Sequence, residues 1–133
     1  MKIVLIVFLL IISFLVISRL MFFFKAWKMK GKEAPTLHGK SQKRIRAGKK
    51  TLLYFSTPTC RACKMQDPII QRVEGKYPDA IFKINALQNR DIATAYGVMG
   101  VPFIAFVEKG IIVKASAGVQ SETNIENFFA DKK

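Results

Sequence analysis

The chain holds two cysteines, Cys60 and Cys63, and both stand where an apolar run gives way to a helical pattern. Two intervening residues let the sulfurs meet across one helical turn, so the pair can close a disulfide with little backbone movement. A helix N-terminus favours negative charge, and such a site lowers a cysteine pKa from about 8.5 to about 3.5–7.5. That pattern points to thiol–disulfide exchange, with Cys60 as nucleophile and Cys63, one turn inside, as the resolving thiol. A zinc site normally needs four protein ligands, whereas this chain offers two Cys and one His, His38. No metal or cofactor is expected. A purely structural disulfide closing so short a loop would restrict the unfolded chain little.

The elements that must hold this pair follow from the pattern around it. Thr51 to Phe55 is a short apolar run closed by Ser-Thr-Pro-Thr, as in a strand buried on both faces. A helix follows from Cys60, with Met65, Ile69, Ile70 and Val73 at helical spacing, a kink at Pro68 and an end near Gly75. Ala80 to Ile84 reads as the next strand, giving a strand, helix, strand crossover. Arg90 to Tyr96 forms a short helix stopped by Gly97. Phe103–Val107 and Ile111–Ala115 flank Glu108-Lys109-Gly110 as a hairpin. Ser121 caps a last helix whose apolar face is Ile125, Phe128 and Phe129.

Net charge is +13, but it is uneven: residues 1–50 carry 12 Lys or Arg against one acid, Glu33, and residues 51–133 carry 10 against 8. A nucleic-acid partner would require the charge on the folded part together with stacking aromatics, so nucleic acid is excluded. Residues 3–24 are apolar apart from Ser13, Ser18 and Arg19. As a helix they reach about 33 Å, enough to span a hydrocarbon core of about 30 Å. Arg19 can snorkel and Trp27 suits the headgroup layer. The run ends in bulky Met-Phe-Phe-Phe-Lys, which offers no signal-peptidase site. Residues 1–24 are therefore read as a single-pass membrane anchor. Residues 25–50, rich in Lys, Arg and Gly, are read as a basic juxtamembrane linker with a short helix over Ser41–Ala47. Residues 51–133 form the folded domain. The ten basic residues between Lys25 and Lys50 place that domain in the cytoplasm by the positive-inside rule, the alternative being an extracytoplasmic domain.

The segment from Leu53 to Met65, with Pro68 beyond it, resembles the active-site strand and helix of the thioredoxin family. Asp91 to Pro102 is similar to the stretch leading into that family's cis-proline, and the resemblance covers roughly Thr51 to Phe129. It implies an α/β, thioredoxin-like fold. Because the chain before Thr51 is short and polar, the expected form is reduced, a mixed sheet of about four strands flanked by helices. It also implies a cis peptide at Pro102 beside the dithiol, and a substrate surface made by Arg61, Ala62, Val101 and Gly118. The implied partners are protein disulfide substrates and an upstream redox protein. The chain departs from the family in three places. Arg61-Ala62 replaces the usual Gly-Pro, and the added positive charge favours the reduced form and a more oxidising dithiol. Thr59 stands where a Trp is typical. Tyr54 stands where the family has its buried proton-transferring acid, and with an unperturbed pKa of about 10 it is a poor base at neutral pH. Tyr54 is expected to pack, with its hydroxyl bonded to a neighbour, and Lys83, which accompanies that acid in the family, is not expected to be catalytic. Tyr54 also leaves open a non-catalytic module that docks extended chains, and an outward-facing domain leaves open a disulfide oxidant.

Overall fold

The computed structural model describes residues 1–130. It begins with one long helix, α1 (Lys2–Lys28), followed by α2 (Gly39–Arg46), β1 (Thr51–Ser56), α3 (Arg61–Lys76) and β2 (Ile81–Asn85). Then come α4 (Arg90–Ala95), β3 (Phe103–Glu108), β4 (Ile111–Ala117) and α5 (Glu122–Ala130). The sheet order is β2-β1-β3-β4, with β2 parallel to β1 and the other pairs antiparallel. The fold is thus the four-stranded mixed sheet flanked by helices expected from the sequence.

Alternation along β1 builds two cores, because successive side chains of a strand point to opposite faces. Leu53 and Phe55 join Phe103, Ala105, Val107, Ile112 and Tyr96 on one face. Leu52 and Tyr54 join Ile104, Phe106, Ile70, Val73 and Ile125 on the other, beneath α3 and α5. The Ser121 hydroxyl accepts from the Asn124 N–H at 3.2 Å, capping α5 as the sequence indicates. Gly97, with φ 72°, takes the left-handed position that ends α4.

The structure differs from the sequence reading between residues 25 and 50. Composition makes that segment a linker, yet Met29, Leu37 and Ile45 are buried in the first core. The Gly31 N–H donates to Ile112 O at 2.7 Å, and the Ile112 N–H to Lys32 O at 2.9 Å. Ala34 N–H also reaches Gly110 O at 2.8 Å, so residues 31–34 run along the start of β4 as a short extra edge. The expected helix over Ser41–Ala47 is present as α2 and buries one residue, Ile45. Three apolar side chains spread over 17 positions among lysines make no periodic signal, which is why composition alone points to a linker.

α1 is 27 residues long, and its apolar side chains from Ile3 to Met21 are not buried by the rest of the protein. Length and composition suit a membrane span. The side chains of residues 22, 23 and 25–27 lie outside the described set, and with them the interfacial position expected for Trp27.

Candidate active site

β1 delivers the chain to a Thr-Pro-Thr turn, and Cys60 is the N-cap residue of α3 in extended conformation (φ −79°, ψ 112°). Its sulfur accepts from the Cys63 N–H at 3.1 Å, taking the place of the side-chain oxygen that usually caps a helix. The two cysteines form a disulfide with Cα atoms 5.2 Å apart. Burial divides them: Cys63 is 2% exposed, while Cys60 is half-buried at the surface.

Two further segments converge on the pair. The Val101–Pro102 peptide is cis, and Val101 O lies 3.6 Å from Cys60 Sγ. Pro102 O accepts from the Gly118 N–H at 2.9 Å, and Gly118 has φ 88°, a left-handed conformation that a side chain would strain. The structure therefore brings Cys60, Cys63, Val101, Pro102 and Gly118 together. Arg61 is exposed and Ala62 half-buried on the first turn of α3. Lys83 pairs with Glu74 at 2.8 Å on the surface and makes no bond to the dithiol.

Two residues at the site escape the sequence reading. Gln66 is completely buried: its Nε2 donates to Gln120 O at 3.2 Å and its Oε1 accepts from the Gln120 N–H at 2.6 Å. This clamp ties the loop after Gly118 to α3. A glutamine in the stripe Cys63, Gln66, Ile70, Val73 is its available signal, since a polar group on an apolar helix face needs a buried partner. The second is Asp67. Tyr54 is 1% exposed, and its hydroxyl donates to Asp67 Oδ1 at 2.8 Å while lying 3.3 Å from Cys63 O. Burial, then the hydrogen bond to Asp67, raises the Tyr54 pKa far above its ordinary value, so the phenol keeps its proton.

The thioredoxin family model matches residues 35–131, most of the chain. This protein belongs to the thioredoxin family. The match begins ahead of Leu37, in keeping with the packing of that residue in the core. Thioredoxin of Mycoplasma genitalium is 32% identical over 84 residues, covering 62% of this chain and 82% of the relative. Thioredoxin of Borreliella burgdorferi is 31% identical over 89 residues, covering 65% and 76%. Among solved structures, a mutant thioredoxin from Halobacterium salinarum superposes with a TM-score of 0.58 at 26% identity, covering 68% and 82%. The oxidized form of mitochondrial thioredoxin 3 from Saccharomyces cerevisiae gives 0.60 at 24% identity, covering 68% and 85%, a likeness of fold. With a closed cysteine pair at the helix start, this thioredoxin is a thiol–disulfide oxidoreductase.

Proposed function

We propose that this thioredoxin reduces protein disulfides from a membrane anchor formed by residues 3–24, with Cys60 as nucleophile and Cys63 as resolving thiol. The carrying observation is the asymmetry of the pair: a half-buried Cys60 at the helix N-cap, whose sulfur accepts from the Cys63 N–H, is disulfide-bonded to a Cys63 that is buried. An extended substrate strand lies along Val101–Pro102 and Gly118, with Arg61 and Ala62 lining its other side. Main-chain hydrogen bonds at that edge give affinity without demanding a particular sequence. Cys60 attacks the substrate disulfide, one substrate sulfur leaves, and a mixed disulfide forms. Cys63 then attacks Cys60 and releases the second substrate thiol, leaving the Cys60–Cys63 disulfide for an upstream reductant.

The domain sits on the cytoplasmic side in this reading, where cellular thiol pools hold the dithiol reduced even though Arg61 favours a more oxidising pair. Topology adds a constraint on reach. Residues 31–34 join the sheet at the start of β4, whereas the dithiol lies at the C-terminal end of β1, beside Gly118 just past the end of β4. The length of β1 separates the two ends by about 20 Å. The dithiol therefore faces clients that stand off the bilayer, not the lipid surface.

Insulin-disulfide reduction by the full chain in detergent micelles, driven by dithiothreitol, tests the activity. The expected result is catalysis well above the dithiothreitol background that is abolished in Cys60→Ser. A wild-type rate at background would overturn the reading in favour of a non-catalytic docking module.

A further inference from the structure

The mixed-disulfide step sets a problem that burial makes worse. Only a thiolate attacks a disulfide, and Cys63 is 2% exposed, an environment that disfavours its charged form. A proton acceptor linked to water is needed. On β1, the titratable side chain beside Cys63 is Tyr54, whose hydroxyl lies 3.3 Å from the main-chain carbonyl oxygen of Cys63. On α3 the hydroxyl's partner is Asp67, one turn beyond Cys63 and exposed to solvent.

The other acids of the packed elements are paired elsewhere or, for Glu108 of β3, lie at the opposite end of the sheet, and the remaining charged groups are cations. Glu122 and Glu126 of α5 pair with Arg72 and Lys76. Glu74 of α3 pairs with Lys83 of β2. Arg61 and Lys64 on α3 are cations, and Val101, Pro102, Gly118 and Gln120 carry no titratable group.

We propose that Asp67 is the outlet for the Cys63 proton, reached through the Tyr54 hydroxyl, and so sets the rate at which the mixed disulfide is resolved. This rests on the exchange mechanism above. As the Cys63 S–H proton moves to the Tyr54 oxygen, the hydroxyl's own proton moves to Asp67, so the phenol is never left ionised. The Cys63 thiolate attacks Cys60 Sγ. The bond between Cys60 and the substrate sulfur breaks, the Cys60–Cys63 bond forms, and the substrate sulfur leaves with the electron pair and takes up a proton. Over the cycle the dithiol loses two electrons and the substrate disulfide gains them. Asp67 acts through Tyr54 and is a positioning residue in this scheme. The raised pKa of Tyr54 fits a relay, since a phenol that ionised on its own would hold the proton gap open.

Single-turnover reaction of the reduced full chain, in detergent micelles, with one equivalent of the aromatic disulfide dithiobis-nitrobenzoate separates the steps. Attack by Cys60 releases one coloured thiolate, and resolution by Cys63 releases the second. Asp67→Asn keeps an oxygen that accepts from Tyr54 but cannot take a proton. Its first phase should match wild type, and its second should fall by roughly 100-fold near neutral pH. That deficit should shrink as hydroxide replaces the carboxylate, and Asp67→Glu should restore the wild-type profile in part. Tyr54→Phe should show the same second-phase loss. A second-phase pH profile unchanged in Asp67→Asn overturns the proposal, and that variant decides alone should Tyr54→Phe fail to fold. Absence of the first phase in wild type would instead sink the exchange mechanism on which it rests.

Discussion

The Tyr96 hydroxyl donates to the carbonyl of Pro35 at 2.9 Å, joining the helix before the cis-proline to a residue 61 positions earlier. Tyr96 is fully buried, and burial raises its pKa well above the usual tyrosine range. The bond fixes the segment between α1 and β1 onto the sheet, and Tyr96 shares a core with Leu37. Leu37→Ala should therefore cost about 2–4 kcal/mol, as for any buried leucine. A true linker residue would change stability by less than about 0.5 kcal/mol. Urea unfolding of the full chain in micelles distinguishes the two.

The same contrast shows what the sequence can and cannot reveal. The strands, α3, the α5 cap and the dithiol are legible because each rests on a local signal: apolar runs, helical spacing, Ser121, and paired cysteines at a strand-to-helix junction. The burial of Leu37 and Ile45 is not, because it depends on a core whose other members run from Leu53 on β1 to Ile112 on β4. Asp67 is hidden for a related reason. An exposed acid on a helix looks like any solvated charge until Tyr54, 13 residues earlier, is seen to reach it.

Gln66→Leu removes both hydrogen bonds to Gln120 while adding apolar volume to α3. The Gln120 N–H and C=O are then left without that partner, at a cost of about 1–3 kcal/mol for each group that stays dry. The loop bearing Gly118 should loosen with them. The expected outcome is a lower unfolding midpoint and a higher KM for a protein disulfide substrate. An unchanged KM would show that the clamp serves stability alone.

Alkaline stability should respond to the two buried tyrosines. In the unfolded chain a tyrosine loses its proton near pH 10, whereas folded Tyr54 and Tyr96 have raised pKa values and hold theirs. Between those values the unfolded state binds fewer protons, so stability falls as pH rises. The contribution is complete below about pH 10 and is lost above it. Tyr96→Phe should be less stable than wild type at pH 8, and the gap should narrow as pH climbs past 10. Denaturation midpoints measured from pH 8 to pH 11 on both chains check this, and a constant gap would contradict it.

Cysteine roles make a separate prediction. Cys63→Ser leaves the half-exposed Cys60 able to attack but removes the group that resolves the product, so mixed disulfides with substrates should accumulate. Cys60→Ser leaves only a sulfur that is 2% exposed and should trap little. Non-reducing gels after alkylation read both outcomes. Equal trapping by the two variants would remove the assigned order of attack.

Sidedness is the last prediction, and it turns on ten basic residues between Lys25 and Lys50 against Lys2 alone ahead of the apolar run. Charges flanking a span within about 15–20 residues set its orientation, so the folded domain should stay in the cytoplasm. There the Lys- and Arg-rich surface around α2 can face an anionic leaflet, each charge near the surface contributing about 1 kcal/mol. Pairing of residues 31–34 with β4 leaves only a short stretch after α1, so an α1 that spans a membrane would hold that surface near the bilayer, with the dithiol at the other end of the sheet. A C-terminal fusion to alkaline phosphatase, active only once exported, should be inactive. Replacing Lys25, Lys28, Lys30 and Lys32 by Gln while adding lysines ahead of Ile3 should raise its activity by inverting the anchor. Strong phosphatase activity in the unaltered chain would place the dithiol outside, and its work would then be disulfide exchange on exported proteins.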